Sequence, residues 1–233
     1  MKFLMSLDLV AKWPLLAVLL TVNLMVVLVS VWDGASRGDV LMSFDEDSVH
    51  TWVSAIQLLA TAVVSARLYQ LRWESPWSWR SPALLWLLIA FGFTFLAVDE
   101  LKEIHESMDV WLHTLLDLQE NAITDRIDDV IVGLYGATAV GLVYRYRQEI
   151  KRYKNVLPLI FTGFIVLFVM VFLDLLTNRP DVLSMLLGDR TGLVARNIFA
   201  ILEEFCKLTA GSLFLGSIYR ASRIERRMHH GAS

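Results

Sequence analysis

The chain predicts an all-α polytopic membrane protein: a single transmembrane bundle of about six spans with both termini in the cytoplasm. Composition is the first observation. Hydrophobic residues make up 56% of 233 positions, charged residues only 19%, and mean hydropathy is +0.53, a balance that suits lipid better than water. The second is length, because six apolar runs approach the roughly 20 residues a helix needs to cross about 30 Å of hydrocarbon. They lie at about 15–32, 51–71, 81–100, 125–144, 156–176 and 200–219. The third is charge. With both termini inside, 14 of the 21 Lys and Arg fall in cytoplasmic segments, among them Lys2, Lys12, Arg72, Arg147, Arg152, Arg223 and Arg227, as short cytoplasmic loops require. Of the 24 acids, only Asp8, Glu74, Glu149 and Glu225 share that side.

A net charge of −3 therefore conceals an acidic outer face and a basic inner rim. The rim suits anionic lipid heads, so membrane lipids are the expected partners, and nothing points to nucleic acid. The single cysteine, Cys206, falls within the last span, which excludes a disulfide framework or a Cys-based zinc motif.

Lys2 and Lys12 ahead of an apolar run resemble a secretory signal, but no small-residue cleavage site follows, so the first span is read as uncleaved. Pro14 suits a helix start. Asn23 is the span's one amide, and the span is expected to face lipid. In the following loop, FDEDS offers Asp47 or Ser48 as a helix N-cap, and Asp45 and Asp47 as extra cation ligands.

In the second span His50, Ser54, Gln57, Thr61 and Ser65 recur at helical spacing. Such a polar stripe should face the bundle interior, either as interhelical hydrogen bonds or as a polar path through Ser54, Gln57 and Thr61. The third span has 17 residues from Pro82 to Val98, about 25 Å of helix, so Asp99 and Glu100 reach the outer boundary. The stretch FLAVDELKEIHESMDVWLH then runs on with no helix breaker, placing Asp99, Lys102, Glu106, Asp109 and His113 on one side of a continuing helix. The outer segment from Ser107 to Ile127, amphipathic at its start, is long enough to form a lid together with the loops Asp33 to His50 and Arg179 to Leu193.

Asp128 and Asp129 precede a short fourth span, in which Gly133, Ala137 and Gly141 form a small-residue stripe suited to helix packing, within the chain or between copies. Asp174 lies just below the outer end of span five. In span six, Glu203 and Glu204 sit about one turn below the surface, where Lys207 at i+4 would pair with Glu203 and leave Glu204 unpaired. Four helices thus bring seven acids to one layer, with His50, His105 and His113 beside it. At that density they need protons, basic partners or a bound cation.

The sequence contains no HExxH, no Glu-x-x-His pair as in di-iron bundles, and no nucleophile elbow. The expected metal ligands are Asp99, Glu100, His105, Glu106, Glu203 and Glu204, with Glu204 and Glu106 in catalytic roles and His50, Asp128, Asp129 and Asp174 as additional candidates. Zinc, manganese, iron or calcium would suit such a donor set.

The arrangement FDEDS, FLAVDELKEIHE, an aspartate in span five and a late LEE resembles an uncharacterised family of small bacterial polytopic membrane proteins with FLxxDExxxIHE and a late EE. That resemblance implies a motif at Asp99, Glu100, His105, Glu106, Glu203 and Glu204, and a bacterial inner membrane with the acidic face periplasmic. Acids and histidines on one face of polar helices also give a looser likeness to alkaline-ceramidase-type membrane hydrolases. The leading expectation is a divalent-metal-dependent membrane enzyme hydrolysing a lipid or lipid-linked substrate. The alternatives are a proton- or cation-coupled transporter or channel, and a non-catalytic subunit or lipid-binding scaffold.

Overall fold

A computed structural model describes residues 14–44, 48–73, 78, 80–117 and 127–231. Asp45, Asp47, Lys2 and Lys12 lie outside the described residues, as do the side chains of Asp128 and Asp129. Every regular element described is helical: α1 (Pro14–Arg37), a 3-10 turn (Leu41–Phe44), α2 (Val49–Arg72), α3 (Leu84–Lys102), α4 (Ile104–Leu116), α5 (Ile127–Arg145), α6 (Arg147–Arg152), α7 (Leu157–Thr177), α8 (Pro180–Leu187) and α9 (Asp189–Gly231). Four of these segments are long and apolar enough to cross a membrane: α1, α2 with its 3-10 lead-in, α3 and α7. Helix α5 is apolar but shorter over Val130–Arg145, and α9 carries Glu203, Glu204 and Lys207 through its apolar part. The bundle suits a membrane protein, with Phe161, Phe168 and Phe172 of α7 and Val18, Val22 and Met25 of α1 exposed as lipid would want them.

Helix α9 is the spine. It packs along α7, α2 and α1, while α2 pairs extensively with α3. Close approach depends on small residues where aromatic or amide side chains cross: a Cβ on Gly163 would stand 3.0 Å from the Phe214 ring, and one on Gly211 2.8 Å from Gln57 Oε1. Phe214 in turn meets Phe93 and Phe164 edge-on. Helix α1 ends where Asp39 N–H bonds to the Gly34 carbonyl and Gly38 takes a positive φ of 87°, a glycine-dependent helix stop.

Helix α5 is the outlier, contacting mainly α4 and α6 rather than the bundle core. Its predicted packing stripe meets none of the other described helices. Gly133, Ala137 and Gly141 are exposed, and no heavy atom would lie within 4 Å of a Cβ on either glycine.

One end of the bundle is closed by a buried ion-pair knot. Arg72 at the end of α2 donates through Nε and Nη2 to both oxygens of Glu149, at 3.0 and 3.1 Å, and Trp86 Nε1 donates to the same carboxylate at 3.0 Å. Glu225 of α9 accepts from Tyr153 Oη at 2.7 Å and pairs with Arg152 at 3.3 Å and Arg72 at 3.7 Å. His229 contacts Glu225 at 3.7 Å and bonds to the Leu71 carbonyl at 2.8 Å. Burial and the Glu225 bond push the Tyr153 hydroxyl well above its ordinary range, which keeps it a donor. Beneath lies an apolar cluster of Leu68, Leu85, Trp86, Ile150, Tyr153, Val156, Ile218 and Ala221.

At the opposite end α8 opens with Arg179 bonded through Nε and Nη2 to Asp181. That contact holds the Asp181 carboxyl down at about 2, so it stays ionised across ordinary pH. The knot is the costlier of the two to break, because removing one partner leaves a buried charge uncompensated. Glu149→Ala should destabilise the fold by about 3 to 5 kcal/mol, whereas Trp86→Phe, which loses one hydrogen bond, should cost about 1 kcal/mol. Thermal melts in detergent compare the two, and equal melting points would remove the knot from its structural role.

Candidate functional site

The stretch expected to be one continuous helix breaks at Glu103. That residue adopts left-handed geometry, φ 48° and ψ 48°, closing α3 and starting α4. For a residue with a Cβ this costs about 1 to 2 kcal/mol. Asp99 supplies the compensation. Its Oδ1 accepts the His105 backbone N–H at 2.9 Å and its Oδ2 lies 3.1 Å from His105 Nδ1, and hydrogen bonds to a charged acceptor contribute about 1.5 to 3 kcal/mol each. The aspartate and histidine of the motif therefore build a turn that re-aims the chain. Glu106 is half exposed with its nearest oxygen 3.9 Å from His105 Nε2, and Asp109 pairs with His113 at 3.1 Å, so both stand along α4.

Glu100, one residue further along α3, joins a different group. Lys207 Nζ lies 3.2 Å from Glu100 Oε1 and 2.8 Å from Glu204 Oε1. The side chains of Lys207, Glu100 and Glu204 are 26%, 17% and 13% exposed, so a lysine bridges two carboxylates from α3 and α9 at the end opposite the knot. The expected Glu203–Lys207 pair does not form. Lys207 is drawn toward α3, the side on which Glu204 stands, while Glu203 turns to α7 and accepts from Thr177 Oγ1 at 3.0 Å. Arg196 Nε donates to the Thr177 carbonyl at 3.3 Å. Asp174, one turn before Thr177, accepts from Asn178 at 3.1 Å and lies within electrostatic reach of Glu203. Two adjacent glutamates thus serve two different helix interfaces.

His50 completes this end. It is 1% exposed, stacks on Phe44 with ring centroids 4.5 Å apart, and has Nδ1 3.3 Å from Ser48 Oγ. Its Nε2 is buried with no hydrogen-bond partner among the described residues, and the Lys207 charge acts on the ring. Ser48 is the N-cap residue of α2 but makes no side-chain cap bond.

Below His50, the stripe of Ser54, Gln57, Thr61 and Ser65 is buried, as its spacing predicts. Its bonds are internal. Thr61 and Ser65 donate to the Gln57 and Thr61 carbonyls at 2.7 Å, and Gln57 Nε2 donates to Asn23 Oδ1 at 2.7 Å. Asn23 Nδ2 donates to Ser212 Oγ and to the Leu208 carbonyl, each at 2.9 Å. The amide expected to face lipid is fully buried at the meeting of α1, α2 and α9. A lone amide in an otherwise apolar span was the available signal, since lipid offers it no partner. Lys207, the hub of the charged group, is the other residue that sequence reasoning assigned to the wrong neighbour.

Among the described residues, no group of three or more His, Cys, Asp or Glu side chains is arranged to hold a metal ion. Asp99 is committed to His105, Glu100 and Glu204 to Lys207, and Glu203 to Thr177. What the arrangement offers chemically is one ammonium held between carboxylates of two helices, with further ionisable groups on α2 and α7 close by.

Fold and site together define an all-α membrane protein with a charged layer at one end of its bundle. A family model described as a domain of unknown function, DUF8692, matches residues 13–221, and the chain belongs to that family. No curated protein and no solved structure matches.

The turn at Glu103 yields a local test. Asp99→Ala should free the first turn of α4, so amide hydrogen exchange at residues 104–108 should accelerate at least tenfold, with the remainder of the bundle unchanged. Unaltered exchange there would mean that the turn does not depend on the carboxylate.

Proposed function

We propose that this chain is a six-span protein of the bacterial inner membrane whose periplasmic end exchanges protons or small cations at Glu100, Lys207 and Glu204, in the service of coupled transport. The observation that carries this reading is the ammonium of Lys207 held between two carboxylates, the position a bound cation would take. An incoming proton or cation competes with that ammonium for Glu204, and charge can shift among the three groups without any leaving the low-dielectric layer. On the α2 side His50 keeps a buried, unbonded Nε2 within reach of the Lys207 charge. The internal bonds of Gln57 and Asn23 make the stripe beneath a closed seam, so passage requires Gln57 to release Asn23 and Ser212.

The orientation rests on the basic residues and on depth: α5 and the middle of α9 serve as the fourth and sixth spans, with both termini cytoplasmic. On a Cys206→Ser background, a cysteine placed at Arg37 or Gly188 should react with an impermeant maleimide in intact cells, and one at Gln148 should not. The reverse pattern would overturn the orientation.

Metal-dependent hydrolysis of a lipid substrate is the second reading. It is favoured by α4 and α8, which expose Trp111, Leu115, Met185 and Leu186 near the charged layer, as helices lying at headgroup depth would. Its metal would need Glu106, Asp128 or Asp129 to join Glu204.

Reconstituted vesicles separate the two. The transport reading expects proton or cation flux above that of empty liposomes, reduced at least tenfold by Glu204→Gln with a melting point near the parent's; Gln57→Leu, which strips Asn23 and Ser212 of a buried partner, should lower flux and melting point together. Parent vesicles that carry no flux, or a Glu204→Gln protein that carries the parent's flux, would sink it. A stoichiometric divalent metal retained through chelator-free purification and lost in Glu204→Gln would favour the enzyme.

A further inference from the structure

At the knot end of the bundle, a cavity of about 430 Å³ opens between the start of α1, the turn after α6 and the last turns of α9. Arg220, Arg223 and Arg227 line it with Asn155, whereas Leu15 and Gly216 form an apolar wall, and no Asp or Glu is among the described residues of the lining. The three arginines are spaced i, i+3 and i+7, one face of a helix. The nearby acid of α9, Glu225, is engaged by Tyr153 and Arg152, and Arg223 and Arg227 make no ion pair among the described residues.

We propose that this cavity binds the headgroup of an anionic phospholipid. The chemistry is two-sided, which selects an amphiphile. Planar guanidinium forks match phosphate oxygens bidentately, and the wall of Leu15 continues into the exposed apolar surface of α1 at Val18 and Val22, where an acyl chain can lie. The volume is within the usual range for a small-molecule site, large enough for a glycerophosphate group. The positive charge at this rim accords with the cytoplasmic placement proposed above, but the site depends on neither transport nor catalysis.

The test uses the full chain in mild detergent with three probes: dioleoyl phosphatidylglycerol, dioleoyl phosphatidylcholine and inorganic phosphate. Phosphatidylglycerol should raise the parent's melting point by about 5 °C at saturation, with little effect from the other two. Arg223→Gln with Arg227→Gln should abolish most of the shift. Arg226→Gln, which removes a charge from the same helix outside the lining, should retain it; if the double variant does not fold, Arg227→Gln alone takes its place. An equal shift from phosphatidylcholine, a shift reproduced by inorganic phosphate, or equal losses in the pocket and Arg226 variants would each overturn the assignment, the last two by pointing to a free phosphate and to general rim electrostatics.

Discussion

A polar group inside a helical membrane bundle has no water to turn to, and that constraint selects the partners of the buried side chains in this chain. Hydroxyls solve it locally by bonding back to their own helix, as Thr61, Ser65 and Thr94 do. Amides and charges cannot, because their donors and acceptors outnumber what one turn of helix supplies. Asn23 therefore reaches α2 and α9, Glu149 collects Arg72 and Trp86, and Lys207 spans α9 to α3. Each link joins different helices, so together they specify which faces meet in a bundle where burial of apolar surface alone gives little preference.

The two ends meet the constraint in different ways. At the knot, two carboxylates face two arginines, a tyrosine, a tryptophan and a histidine, and the donors surround both acids. Such an arrangement is locked: any proton or ion entering must displace several bonds at once. At the Lys207 end the pairing is sparser. One ammonium is shared by two acids, His50 keeps an open nitrogen, and Glu203 depends on a neutral hydroxyl. Fewer partners surround each acid here than at the knot, and it is on that contrast that the exchange reading depends.

The sequence was most informative where a period or a composition repeats. Apolar runs located the helices, and the spacing of Ser54, Gln57, Thr61 and Ser65 identified a face that is indeed buried. It was least informative where a single contact decides. No residue at Glu103 announces a break, because the left-handed turn is stabilised by Asp99 reaching six residues forward rather than by a glycine or proline. Whether Lys207 takes the acid three or four residues before it was undecidable from helical spacing, since Glu100 on α3 settles the matter. Glu149 and Glu225 looked like ordinary cytoplasmic charges, for loop acids give no sign of being enclosed. The Gly133, Ala137 and Gly141 stripe carries a packing pattern that the described residues do not use.

The break at Glu103 also bears on how the charged layer could open. A continuous α3 would carry Glu106, Asp109 and His113 away from the bundle, whereas the turn sends α4 off in a new direction, against α5. Helix α5 contacts little else, apart from Tyr135 meeting Phe95 edge-on at 5.3 Å. Helix α4 leaves α3 at the turn held by the Asp99 and His105 contact, next in sequence to Glu100. Loss of the Asp99 carboxylate would loosen that turn beside Glu100, the residue through which Lys207 meets α3. The knot, being at the far end, would hold α2, α3, α6 and α9 together while this happens.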